Sequence, residues 1–286
     1  MSSKVNKSDT IIAFQGELGA YSHMACQEKF PDMDVLPCPS FEDALAAVQK
    51  GRARLAMIPI ENSTAGRVAD IHMLLPGSGL FIIDEHFEAI RHCLLALKDS
   101  ADVDLKAVTS HVQALGQCRT TMRDMGLAPT PFADTAGSAR HVKELGDKSL
   151  AAIASHLAAE VYGLRIVKAD IQDQDHNTTR FVVLARQAST ITAASGDVMT
   201  TFTFEVKNVP AALYKALGGF ATNSVNMTKL ESYYDSDSFT ATEFFADIEG
   251  DMSMPNVARA MEELEFHSKR VTILGTYSQA RSRAIR

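Results

Sequence analysis

Between Thr10 and Arg186, short runs of apolar, strand-forming residues alternate with segments that carry helix start and stop signals. That alternation specifies a sheet covered by helices, an α/β fold, because each strand needs a helix to bury its exposed face. The strands read as TIIAFQ (10–15), LAMIPIE (55–61), HCLLAL (92–97), AVTS (107–110), SLAAIAS (149–155) and FVVLAR (181–186). Ser40, followed three residues later by Asp43, opens FEDALAAVQKG like a capping box, with Gly51 as its stop. Asp134 and Gly146 bracket DTAGSARHVKELG in the same way.

The stretch RQASTITAASGDVMT (186–200) keeps neither period and reads as a linker. Beyond it the order changes to strand TTFTFEV, helix PAALYKALGGFATN, strand VNMTKLESYYD, strand TATEFFADIEG, helix PNVARAMEELEFHS and strand VTILGTY. This is β-α-β-β-α-β, the ferredoxin-like arrangement. Pro210 and Pro255 are each expected in the first turn of their helix, where a missing N–H costs nothing. By fold-level analogy, so small a domain beside an α/β unit serves regulation or oligomerisation.

Charge and cysteine usage remove several function classes. The net charge is -7 and no Lys/Arg cluster stands out, which disfavours a nucleic-acid partner. No apolar run reaches the roughly 18 residues of a membrane span, and MSSKVNKSDT lacks the apolar core of a signal peptide, so a cytoplasmic protein is expected. Cys26, Cys38, Cys93 and Cys118 show no C-x-x-C spacing and read as reduced, structural residues. The nine histidines form no H-E-x-x-H pattern, so no metal is expected.

Four stretches place polar residues where an open α/β sheet binds ligands, at strand ends that lead into helices. In PIENSTAGRV (59–68), Glu61, Asn62, Ser63 and Thr64 exceed what one N-cap requires. In GELGAYSHMA (16–25), Ser22 and the turn N–H groups either hold a carboxylate or cap the helix. TSHVQALGQC (109–118) supplies Ser110, His111 and Gln113; His111 reads as a helix-start residue, whereas the Gln113 amide can orient a substrate group. FADTAGSA (132–139) adds Thr135 at a further helix start. Several helix N-termini facing one cleft suit a small anion such as a dicarboxylate. HNTTRFVVLA (176–185) adds the hydroxyls of Thr178 and Thr179 and the forked cation of Arg180; the bland reading is a turn with Arg180 exposed.

PIENSTAGRV, SHVQALGQC and NTTRF, in that order, resemble prephenate dehydratase, and the segment with FATNSVNMTKLES resembles the ACT domain that follows it. The resemblance implies a catalytic domain over 10–186, bilobed like the type-II periplasmic binding proteins. One lobe takes 10–90 with 176–186 and the other 91–175; a linker (187–199) and an ACT domain (200–279) follow. It implies conversion of prephenate to phenylpyruvate with no metal or organic cofactor, in a homodimer or homotetramer. Thr179 matches the threonine of the family's T-R-F motif, the group at the leaving hydroxyl. Glu61, Asn62 and Gln113 would polarise or position substrate. Arg180 would take a substrate carboxylate or brace the cleft, and Ser22, Ser63, Thr64, Ser110, Thr135 and Phe181 would line it. L-phenylalanine is implied as effector at Ala211, Ala212, Leu213, Asn226, Glu231 and Ser232. There the chain departs from the family: the usual P-G-A-L reads PAAL, and E-S-R-P reads ESYY. Two alternatives stay open, the same chemistry on L-arogenate and a non-catalytic amino-acid sensor.

Overall fold

The computed structural model describes residues 7–192, 197–234 and 241–280, so residues 193–196 of the expected linker lie outside the described residues. Two compact units are formed, Met1–Val68 with His86–Phe181, and Ala69–Glu85 with Val182–Arg286. No helix among the described residues is long and apolar enough to cross a membrane.

The first sheet builds on β1 (Ile11–Gln15), followed by α1 (Tyr21–Lys29), β2 (Asp34–Cys38), α2 (Phe41–Gln49), β3 (Leu55–Asn62) and the two-residue β4 (Gly66–Arg67). The chain continues through α3 (Ala69–Leu74) and β5 (Phe81–Ala89). A second sheet takes β6 (Cys93–Ala96), β7 (Ala107–Ser110), α4 (Val112–Gln117), α5 (Arg119–Asp124), β8 (Ala128–Pro131), α6 (Thr135–Leu145), β9 (Leu150–Ala154), α7 (His156–Tyr162) and β10 (Arg165–Lys168). Strand β11 (Thr178–Ala185) then returns to the first sheet, whose order is β2-β1-β3-β11-β5 with β4 on β3. The second sheet runs β10-β6-β9-β7-β8.

Local chemistry explains the boundaries. Ser40 and Asp134 cap their helices by accepting from the backbone N–H of Asp43 and Gly137, and Gly146 closes α6 at φ 70°. Strands β1, β3 and β9 are almost wholly apolar because both faces are covered. Strands β2 and β8 carry Pro37, Pro129 and Pro131 and lie at sheet edges, the positions where a missing N–H is tolerated.

The second unit holds β12 (Val198–Val206), α8 (Ala212–Thr222), β13 (Met227–Tyr234), β14 (Ala241–Glu249), α9 (Pro255–His267) and β15 (Ser268–Ser278). The order is β-α-β-β-α-β, and the antiparallel sheet runs β13-β14-β12-β15. Phe202, Phe204, Phe220, Phe244, Ala260 and Leu264 fill the core between this sheet and its two helices. Pro255 occupies the first turn of α9 as expected. Pro210 does not do so in α8: it precedes Ala211, whose backbone is left-handed at φ 60°, and the helix begins at Ala212.

Candidate active site

Strand β11 begins three residues earlier than its apolar pattern suggests, so Thr178, Thr179 and Arg180 are strand residues rather than parts of a preceding turn. This places Thr179 beside the carboxyl end of β3, where Asn62 is the last strand residue. Backbone N–H groups of Thr64 and Ala65 lie 2.9 and 2.8 Å from Asn62 Oδ1. An N–H can only donate, so that atom is the carbonyl oxygen and the amide direction is determined. Asn62 Nδ2 therefore donates to Asn177 Oδ1 at 2.8 Å and to Thr179 Oγ1 at 2.9 Å.

The direction propagates. Asn177 Nδ2 donates to Gln117 Oε1 at 2.9 Å, and Gln117 Nε2 donates to Thr64 Oγ1 at 3.0 Å. Five side chains, Asn62, Thr64, Gln117, Asn177 and Thr179, from β3, its following turn, α4 and the start of β11 thus form one oriented network. Thr179 is 9% exposed and receives a hydrogen bond, while its own hydroxyl proton has no acceptor among the described residues. The arrangement presents a hydrogen-bond donor on a partly buried network.

The other residues singled out from the sequence divide by surroundings. Arg180 is not exposed: its side chain is 2% accessible and its Nη1 donates to Glu61 Oε1 at 2.9 Å, the bracing arrangement. Ser63 Oγ donates to the His176 carbonyl and accepts from Thr178 N–H, stitching the turn to β11. Ser110 is fully buried and donates to the Ile153 carbonyl. Phe181 lies in the core at 1% exposure, and Ser22 is buried in the first turn of α1. Thr135 opens α6 half-buried. Gln113 is exposed, and its backbone N–H donates to the His111 ring, which caps α4. The glutamine that reaches Asn177 and Thr64 is Gln117, one helical turn later. Sequence reasoning missed Gln117 and Asn177; both stand within the quoted motifs, and the i, i+4 spacing from Gln113 was the available signal.

Glu17 and Arg140 link the turn after β1 to α6 through two hydrogen bonds of 2.7 and 2.8 Å. The guanidinium hydrogen bond holds the Glu17 carboxyl below the usual carboxylate range. Apart from this network, Glu28, His86 and Glu88 are the residues among those described with spacing suited to a metal ion. There His86 Nε2 lies 3.3 Å from Glu88 Oε2 and 3.9 Å from Glu28 Oε2.

In the second unit, Ala211, Ala212 and Leu213 line a cavity of about 240 Å³, whereas Asn226 lines a different one with Ser224 and Glu249. Glu231 accepts from Lys229 Nζ at 2.6 Å, and Ser232 is exposed on the same strand.

Comparison with known proteins gives this geometry a family. Residues 12–189 match the prephenate dehydratase family. A bifunctional N-acyl-homoserine lactone acylase/prephenate dehydratase from Komagataeibacter europaeus is 49% identical, over 94% of this chain and 96% of its own. Arogenate dehydratase/prephenate dehydratase 2 of Arabidopsis thaliana is 36% identical, over 95% of this chain and 74% of its own. Among solved structures, prephenate dehydratase from Arthrobacter aurescens in complex with L-Phe superposes with a TM-score of 0.85 at 30% identity, covering 94% of this chain and 90% of that one. The chain belongs to the prephenate dehydratase family, a family of hydro-lyases.

Proposed function

We propose that this chain converts prephenate to phenylpyruvate, with Thr179 as the hydrogen-bond donor to the departing ring hydroxyl. The observation that carries the reading is the direction of the Asn62 to Thr179 hydrogen bond, which leaves the threonine proton for a ligand. In the reaction the ring C–O bond breaks and the hydroxide, taking up a proton, leaves as water. The bond to the ring carboxylate supplies the electron pair that aromatises the ring as CO₂ departs. A threonine is a poor free acid, so Thr179 acts through preorganised hydrogen bonding. Gln117, Thr64 and the backbone around Asn62 position the substrate, and Glu61 with Arg180 holds β3 against β11. The catalytic domain spans 10–186 as two lobes like those of periplasmic binding proteins, and the following domain is an ACT domain that takes L-phenylalanine between subunits. The second proposal is supported by the β-α-β-β-α-β order and by the L-Phe complex of the Arthrobacter relative.

The test is phenylpyruvate formation by the purified protein in EDTA, with prephenate and L-arogenate as competing substrates and with L-phenylalanine added. Turnover of prephenate that falls by about 10²–10³ in Thr179→Ala supports the assignment. Turnover unaffected by that substitution refutes the role of Thr179.

A second reading comes from the Komagataeibacter relative, whose name joins acylase and dehydratase activities. The same protein, given an N-acyl-homoserine lactone, would release homoserine lactone and a fatty acid. Chromatography of the acyl product decides whether this chain shares that activity.

A further inference from the structure

One buried imidazole touches the network without belonging to the cleft. His92, just before β6, is 2% exposed, and its Nε2 lies 2.9 Å from Gln117 Oε1. That oxygen already accepts from Asn177, and its identity follows from the backbone N–H groups that orient Asn62. A bare Nε2 lone pair would face an oxygen lone pair, so Nε2 carries a hydrogen and donates. On the other side of the ring, Nδ1 lies 2.7 Å from the Tyr21 hydroxyl, which is also 2.9 Å from the Arg91 carbonyl. In the neutral ring, Tyr21 donates to Nδ1. In the protonated ring, Nδ1–H donates to the tyrosine oxygen and the Tyr21 proton turns to Arg91 O. Both states keep Nε2–H on Gln117.

We propose that His92 is a positioning residue, fixing the Gln117 carboxamide so that its second amide hydrogen stays available to a substrate oxygen. This rests on the dehydratase reading of the Thr179 site. Gln117 spends one hydrogen on Thr64, and the other has no acceptor among the described residues. The His92 backbone is itself held, its N–H donating to Gln172 Oε1 and its carbonyl accepting from Ile171 N–H. Desolvation, not the surrounding charges, favours the neutral ring. Burial pushes the imidazole below its usual range, against the Gln117 hydrogen bond. Burial raises Tyr21, and the groups whose charge would add to that are Cys93 on β6, Cys118 before α5 and Glu88 on β5. Arg91, the adjacent cation, is paired with Asp170 at 3.2 Å.

The experiment is a double-mutant cycle of His92→Phe and Gln117→Leu, with His92→Gln as the conservative variant and thermal melting as the check on folding. The expected result is a fall in kcat/KM on the order of 10- to 100-fold in His92→Phe. The double variant should be no worse than Gln117→Leu, and His92→Gln, whose amide can donate from about the same place, should recover part of the loss. Additive losses in folded variants would overturn the proposal, because a general packing role does not act through Gln117. A ¹⁵N spectrum of labelled histidine gives a reading independent of turnover. An Nε2-protonated ring across about pH 5–8 is expected, and an Nδ1–H neutral tautomer overturns the proposal. If the wild type binds prephenate without turning it over, the dehydratase reading fails. The His92 role is then judged by calorimetry: prephenate binding weakened equally by both single variants supports it, and weakening by Gln117→Leu alone refutes it.

Discussion

Asn62 donates to Thr179 at 2.9 Å, and its own carbonyl oxygen is held by two backbone N–H groups of the turn that follows. The threonine is therefore an acceptor toward Asn62, and its own proton has no acceptor among the described residues. Asn62→Asp tests that polarity with little change in shape. One aspartate oxygen would still accept from Thr64 and Ala65, but the other would face Thr179 as an acceptor and draw its proton inward. A fall in kcat of about 10²–10³ is expected, with a native circular dichroism spectrum. Activity within a few-fold of wild type would show that the direction of this hydrogen bond is immaterial.

Gly19 approaches α7 so closely that an added Cβ would lie 2.7 Å from Ala158 Cα, and its φ of +86° already disfavours a side chain. Its carbonyl accepts from Ser155 Oγ, and its N–H donates to His23 Nδ1. Gly19→Ala must therefore move the turn after β1 away from α7, combining backbone strain with overpacking. A loss on the order of 2–5 kcal/mol is expected in urea unfolding. Ser155→Ala, which removes that buried hydrogen bond and also the N-cap of α7, where Ser155 Oγ accepts from Ala158 N–H, should cost about 2–4 kcal/mol.

Much of this fold is legible from residues with one physical meaning. Asp134 and Gly146 bracket α6 because a cap acceptor and a left-handed stop have few other uses. The edge strands β2 and β8 are hidden by Pro37, Pro129 and Pro131, and β5 by the polar run Asp84, Glu85, His86 in its middle. The site was located by its motifs but not resolved residue by residue. Gln113 and Gln117 lie on one short helix, and only the packing of α4 decides that the second meets Asn177. Arg180 and Glu61 read as cleft residues because a strand pattern does not say that a cation has been buried against its partner. His92 and Tyr21, about 70 residues apart, carry no pairwise signal in a single sequence.

Ala211 stands in the left-handed region at φ 60°, where the family's usual P-G-A-L would place glycine. A non-glycine residue there costs about 1–2 kcal/mol, and replacing it by glycine returns about 0.4–1 kcal/mol of chain entropy to the unfolded state. Ala211→Gly should therefore stabilise by about 0.5–1 kcal/mol in urea unfolding. Ala216→Gly, in the interior of α8, should destabilise by about 1 kcal/mol or more. Equal effects at the two positions would contradict the backbone argument.

Two buried imidazoles make stability depend on pH in a defined direction. His23 stacks on Phe14 with ring centroids 5.7 Å apart and accepts from Gly19 N–H, which requires an unprotonated Nδ1. Burial lowers the pKa of both His23 and His92. In the unfolded chain each binds a proton near the ordinary value of about 6.5, whereas the folded chain does so only at lower pH. Between those points the unfolded state holds more protons, so stability is full above about pH 6.5 and is lost as pH falls through the window beneath it. Glu17, held low by Arg140, contributes stability that is lost only further down, as pH falls below its ordinary carboxylate range. The melting temperature should be level above about pH 7 and decline from about 6.5 downward. His23→Gln, whose carbonyl oxygen can take the Gly19 hydrogen bond without titrating, should flatten part of that decline. A melting temperature that rises between about pH 7 and 5.5 would mean that neither ring is held neutral in the folded chain.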